Sequence, residues 1–482
     1  MPDSQTPAAL SIRLDRTAAL PIGDQIYASL RQAILDGRLA PGGRLPAGRV
    51  LAAQLGVARG TIRVAYDRLS AENLVFGAGS AGTRVCAQLP QPPQRPRSRA
   101  DPEVPLDGPL ASFTRPYSSA PQPFQMGVPA HDAFPAKVWA RIRTRAVRAD
   151  AVAYTTYADP RGEPALREQI ASHLAVSRHL RCHPDQIVVT SGYRHGLMLA
   201  LTALRAHGRT AWLEEPGYPL ARRALELAGV AIEPVPVDAE GLRVADGIAS
   251  APDALLALVS PGQHAPLGVT LSPLRRRALL DWAATRGAWI IEDDYLGELQ
   301  LDGRAAPALA AGDGAERVIH IGTFSKTISP ALGLGFVVAP RALTERLVEV
   351  AAVWAPAPNR TTQLAVTEFL EDGHFLRHLR QMKALYAERR RRALAIVTAF
   401  LPGTLTAGLG LIAPLPPTAD DIALVRLARA SGLAPSALSA WHFRPSQAQH
   451  GLLLSVTNLG PDIVGTACAK LATIVASHCT AR

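Results

Sequence analysis

At 482 residues, 48% of them hydrophobic, the chain is long enough for two or three domains with substantial cores. Its formal net charge of +11 is unevenly spread, because residues 1–100 hold 13 arginines, no lysine and only 6 acidic residues; a basic excess alone excludes neither an enzyme nor a polyanion binder. Four scattered cysteines, Cys86, Cys182, Cys468 and Cys479, exclude a disulfide framework and a cysteine metal module; no metal site, leader or membrane-spanning run is legible, and a reducing cytoplasm is the expected location.

In chain order, Ile26, Leu30, Ala33 and Ile34 form an apolar stripe at helical spacing that ends at Asp36-Gly37, with Pro41-Gly42-Gly43 as a break beyond. A second helix is expected from Ala47 to Leu55, closed by Gly56, and a third from about Arg59 to Glu72. Two short helices joined by a glycine-containing turn make a helix-turn-helix. On the third, Ile62, Ala65 and Leu69 face the core, while Arg59 and Arg63 share a face suited to the major groove. Leu74-Val75-Phe76 and Thr83-Arg84-Val85 are expected to pair around the glycine-rich stretch 77–82 as a wing.

The stretches 37–46 and 51–61 closely resemble the GntR winged-helix domain, over about residues 20–86. The resemblance implies that Arg49, Arg59, Thr61 and Arg63 contact DNA and that Gly82 lets the wing lie against the DNA backbone. Two departures stand out: Ala58 where the family often has serine, and Gly60 where asparagine or a larger residue is commoner. The expected DNA-binding domain is 1–88. A proline- and arginine-rich linker follows at 89–123, including Arg95, Arg97 and Arg99.

Further on, the apolar runs 287–291 and 317–321 read as buried parallel strands. The first delivers Glu292-Asp293-Asp294-Tyr295 and the second Gly322-Thr323-Phe324-Ser325-Lys326 to the carboxyl edge of a sheet, where open α/β folds bind ligands. Lys326 is one of only four lysines against 47 arginines. A lysine amine and a carboxylate facing one crevice suggest pyridoxal phosphate: the amine bonds the cofactor aldehyde, and the carboxylate keeps the pyridine nitrogen protonated.

Tyr157-Ala158-Asp159-Pro160-Arg161-Gly162, the run 184–192, Glu215-Pro216-Gly217-Tyr218-Pro219, the run 369–374 and Tyr386-Ala387-Glu388-Arg389-Arg390 occur in order. On these motifs the chain from about Phe124 onward resembles a fold type I aminotransferase of the kind found in MocR-type transcriptional regulators. The implied architecture is α/β: a winged helix-turn-helix joined to an aminotransferase-like domain at 124–482. That domain has a mostly parallel sheet between helices at about 150–345 and a smaller α+β subdomain at about 370–482.

Carried over residue by residue, the resemblance gives Lys326 the internal aldimine, Asp293 the pyridine nitrogen, Tyr295 the ring 3-oxygen and Tyr218 the ring face. Thr323 and Ser325 offer hydroxyls to the phosphate, and Gly192, Tyr193 and Arg194 offer the N–H groups of a helix start. Gly333 stands where the family carries an arginine that clamps the phosphate, and Arg194, in place of a commoner glutamine, is a candidate substitute. Ala265 and Leu267 leave no polar side chain where relatives have one, so the ring oxygen is left to Tyr295 and His264.

The expected function is a DNA-binding regulator that senses pyridoxal phosphate or an amino compound, with little or no turnover. The resemblance also implies a head-to-tail homodimer on paired operator half-sites. A transaminase with an appended DNA-binding module, for which Arg444 is a candidate carboxylate anchor, and a cofactor-free relic domain are the alternatives.

Overall fold

The computed structural model describes residues 12–18, 20–89, 120–152, 157–303, 305–354 and 358–480, in two compact units. Most of the expected linker, 90–119, lies outside the described residues.

In the first unit, helices Ile22–Leu35, Gly48–Leu55 and Arg59–Ala71 enclose a core of Ile26, Leu30, Ile34, Leu45, Leu51, Ile62 and Leu69. Gly56 ends the second helix in the left-handed conformation, and Ala58 opens the third without a side-chain cap. Strands β1 (Val75–Gly77) and β2 (Thr83–Val85) form the antiparallel wing. An isolated bridge between Arg44 and Arg84 lays residues 43–45 alongside it, with Leu45 donating to Thr83 and Val85 to Gly43, both at 2.8 Å. The expected helix-turn-helix and wing are therefore present.

The second unit is built on an eight-stranded sheet of β3 (Ile187–Thr190), β4 (Thr210–Glu215), β5 (Ala231–Asp238), β6 (Gly241–Leu242), β7 (Leu256–Val259), β8 (Trp289–Asp294), β9 (Val318–Thr323) and β10 (Gly335–Val338). The spatial order is β3-β10-β9-β8-β7-β4-β5-β6. Strands β5, β4, β7, β8 and β9 run parallel, and β10 is antiparallel to both β9 and β3. The carboxyl ends of β3, β9, β8, β7 and β4 thus share one edge. Apolar side chains cover both faces: Leu213, Leu258, Ile291 and Val337 on one, Trp212, Ala257, Val259 and Ile290 on the other. A smaller antiparallel sheet follows, formed by β11 (Leu405–Ala407), β12 (Gly410–Pro414), β13 (Ser436–Ala437) and β14 (Gly451–Ser455) in the order β11-β12-β14-β13. Helices His374–Val397, Asp421–Ala430 and Pro461–Thr480 contribute to its core.

One element differs from expectation. Strand β8 does not stop at Ile291 but runs through Asp294, because its acidic residues are paired rather than solvated. Arg178 Nε donates to Asp294 Oδ2 at 2.7 Å, and His320 Nδ1 lies 3.0 Å from Glu292 Oε2. Glu292 also accepts the backbone N–H groups of Leu309 and Ala310. Burial opposes charge on both Glu292 and His320, yet each charge outweighs it for the other: Glu292 is held below the usual carboxylate range and His320 above the usual imidazole one. Removing one partner of such a buried pair costs about 3–5 kcal/mol. Alternation then directs Asp293 to the opposite face of the sheet.

Candidate functional site

Five strand ends converge on one edge. Gly192, Tyr193 and Arg194 follow β3, Thr323 to Lys326 follow β9, Asp293 and Tyr295 close β8, Ser260 to Ala265 follow β7, and Glu214 to Tyr218 close β4. The lysine turn is anchored by buried Phe324 and Ile328, and His378 Nε2 lies 2.9 Å from the Thr327 carbonyl oxygen. The Thr323 hydroxyl donates to Ser325 Oγ at 3.0 Å.

Lys326 Nζ donates to the carbonyl oxygen of Gly127 at 2.9 Å. Gly127 lies at φ 78°, which favours glycine, and a Cβ there would come within 2.7 Å of Nζ, so the lysine tip would have to shift. Gly127 belongs to a strap fastened on both sides: the Phe124 carbonyl accepts from Ser455 N at 3.2 Å, the Val128 carbonyl from the Thr457 hydroxyl at 2.5 Å, and Ala130 N donates to the Tyr386 hydroxyl at 2.9 Å. Burial, with help from the Arg194 charge, lowers the Lys326 pKa to about 8, while Asp293 acts in the other direction.

Asp293 is raised to about 8, chiefly by burial, with the charges of Glu214 and Asp294 adding to it. The Tyr193 hydroxyl faces Asp293 and works against this rise, yet neither that hydroxyl nor Asp293 Oδ1 makes a hydrogen bond of good geometry within the described residues, although both atoms are sealed from water. Unsatisfied buried polar atoms of this kind mark a place for a ligand. Burial also raises Tyr295 and Tyr193, and the Asp293 charge reinforces both shifts. The Tyr218 ring lies 6.2 Å from that of Tyr193 and 5.8 Å from that of Trp441.

Two site features were not legible beforehand. Glu214 is a second buried carboxyl, raised to about 7 by burial and accepting the Ser260 hydroxyl at 2.6 Å. His264 is spent locally: Nε2 is 3.0 Å from the Pro216 carbonyl oxygen, Nδ1 accepts Leu267 N at 3.3 Å, and burial lowers its pKa to about 3. A neutral His264 has both ring nitrogens engaged within the chain. Arg444 pairs with Glu233 at 3.4 Å and is half exposed. Gly333 sits at φ 52°, ψ 48°, and Arg194 is exposed, with no ion pair among the described residues.

In the winged unit, Arg49, Arg59 and Arg63 are exposed, and Arg63 makes only a loose 3.8 Å contact with Asp67. Thr61 is half-buried, its methyl facing Gly23. Gly82 has a further reason to be glycine: at φ 81° a Cβ would meet Arg44 Nε at 2.9 Å. Arg44, exposed and 38 positions away, lies across the wing turn, a placement no spacing rule reveals.

Residues 22–85 match the model of bacterial regulatory proteins of the gntR family, and residues 124–415 match that of aminotransferase class I and II. The probable rhizopine catabolism regulatory protein MocR of Rhizobium meliloti is 35% identical over 93% of this chain and 92% of its own length. This chain belongs to the MocR-type transcriptional regulators. The pyridoxine biosynthesis regulator PdxR of Corynebacterium glutamicum is 33% identical over 80% of each chain. Among solved structures, an archaeal alanine:glyoxylate aminotransferase superposes with a TM-score of 0.68 at 25% identity, over 76% of this regulator and 92% of that chain. The α-aminoadipate aminotransferase LysN of Thermus thermophilus, solved with N-(5'-phosphopyridoxyl)-L-leucine, gives 0.67 at 24% over 74% and 93%, and shares the fold. The regulator thus joins a helix-turn-helix DNA-binding unit to a domain of a family that binds pyridoxal phosphate. No described helix is long and apolar enough to cross a membrane.

Proposed function

We propose that the regulator binds pyridoxal phosphate at Lys326 and uses it to sense the cofactor or a small amine. The observation that carries this reading is the pair formed by a buried Asp293 oxygen lacking a donor and a lysine of lowered pKa, on adjacent parallel strand ends. A protonated pyridine nitrogen supplies the missing donor and relieves the cost of ionising Asp293. Tyr295 serves the ring oxygen, Tyr218 the ring face, and the Tyr193 helix start with Thr323, Ser325 and Arg194 the phosphate. When bound, the cofactor supplies a carbonyl carbon that exchanges amines.

The same reading makes the protein a cytoplasmic homodimer on paired half-sites. Sensing fits better than turnover, since neither Gly333 nor Ala265 provides the polar anchorage that repeated cycling demands. The test is selection from a pool of random-sequence duplexes, with and without pyridoxal phosphate. Recovered duplexes should carry a repeated half-site, with affinity dependent on the cofactor. Recovery of a single unrepeated site, indifferent to the cofactor, would contradict it.

A further inference from the structure

Leu438, Trp441 and Leu453 form, with Met126, Tyr218, Ala265, Ile412 and Ala440, a small apolar cluster assembled from six segments. Met126 joins it at the Lys326 end, next to the Gly127 carbonyl that receives the amine. Tyr218 joins it at the Asp293 end, beside Tyr193. The Trp441 carbonyl fastens the cluster to the site by accepting Gly217 N at 3.0 Å.

Among the described residues, four arginines on the neighbouring segments are already engaged. Arg444 pairs with Glu233, and Arg222 Nη1 donates to the His442 carbonyl at 3.0 Å. Arg389 is fixed by Asp132 and the Thr457 carbonyl, and Arg390 Nη1 by Asp302 Oδ2 at 2.7 Å. Arg194, whose charge reaches Lys326, opens the helix proposed above to hold the phosphate. The buried Glu214 carboxyl stands on the same sheet edge.

We infer that the ligand entering beside Lys326 is a primary amine with an apolar body and no carboxylate. The inference rests on the proposed cofactor reading. Its physical basis is that an apolar wall gains from burying hydrocarbon, whereas a carboxylate placed against it is stripped of water without a partner. Trp441 and Met126 supply the contact, one rigid and broad, the other adaptable.

The test uses the cofactor-loaded full-length protein and a matched pair of probes, 2-phenylethylamine and L-phenylalanine, which share a body and differ by the carboxylate. Binding is read by calorimetry and by tryptophan fluorescence, with concentrations corrected for the fraction of neutral amine. The phenylethylamine is expected to bind at least roughly tenfold more tightly. Met126→Arg, a change at a half-buried position, should narrow that gap by giving the carboxylate a partner. Equal or tighter binding of L-phenylalanine to the wild type would overturn the inference. A wild-type protein that takes up no pyridoxal phosphate, seen first as the lack of a visible absorbance band, would sink the cofactor reading and this inference with it. Loading followed by the wrong preference sinks the inference alone.

Discussion

The Lys326 amine donates a 2.9 Å hydrogen bond to the carbonyl oxygen of Gly127, a residue 199 positions earlier in the chain. A neutral amine can still donate this bond, though less strongly than an ammonium, so the contact holds the side chain in place while burial lowers its proton affinity. Capture of the cofactor aldehyde needs the neutral form. The rate at which the cofactor band develops should therefore rise with pH around a midpoint of about 8. In Arg194→Gln the midpoint should move upward, because one of the groups lowering it is gone. Stopped-flow absorbance across pH 6 to 10 checks both.

Asp293 titrates oppositely to a stabilising carboxylate. Its folded pKa of about 8 lies above its unfolded value, so the folded protein holds the proton more tightly and stability falls as pH rises between the two. Asp293→Asn removes that dependence. In cofactor-free protein the melting temperature of the variant relative to wild type should climb by about 1–2 °C per pH unit from pH 5 to 8. A gap that stays flat across this range would contradict the burial of the carboxyl.

Arg194→Gln should weaken cofactor binding roughly ten- to a hundred-fold, the value of one charge-assisted contact of about 1.5–3 kcal/mol. Restoring an arginine by Gly333→Arg should recover little of it. The left-handed backbone at Gly333 costs a side-chain-bearing residue about 1–2 kcal/mol, which offsets most of the gain. Fluorescence titration of the three proteins decides; unchanged affinity in Arg194→Gln would remove it from the phosphate site.

For DNA, Arg59→Ala and Arg44→Ala should each lower the slope of log affinity against log salt by about 1 per protomer on a mixed-sequence 30-base-pair duplex. Neither should alter cofactor uptake. Anisotropy between 50 and 200 mM salt provides the slopes, and a wild-type slope in Arg44→Ala would mean that the guanidinium only props the wing.

Much of this was legible because it is local or periodic. The stripe Ile26, Leu30, Ala33, Ile34 specifies a buried helix face, and the apolar runs 287–291 and 317–321 specify adjacent strands whose ends carry Asp293 and Lys326. What stayed hidden depends on pairing across long separations. Nothing in the local sequence shows that Glu292 and Asp294 are buried; that follows only once His320 and Arg178 are brought against them. Glu214 looks like one more residue of a turn motif until Ser260, 46 positions away, donates to it. The apolar cluster around Trp441 has no sequence signature, since five of its six segments contribute a single residue each.

The central claim is covalent capture of pyridoxal phosphate at Lys326. The most direct measurement is the visible absorbance spectrum of the purified full-length protein after incubation with excess cofactor and removal of the unbound fraction, before and after borohydride. The expected result is a band that borohydride bleaches, with the cofactor left on the peptide containing Lys326, and no such band in Lys326→Ala. A wild-type protein that remains colourless, or a Lys326→Ala variant with the same bleachable band, would contradict it.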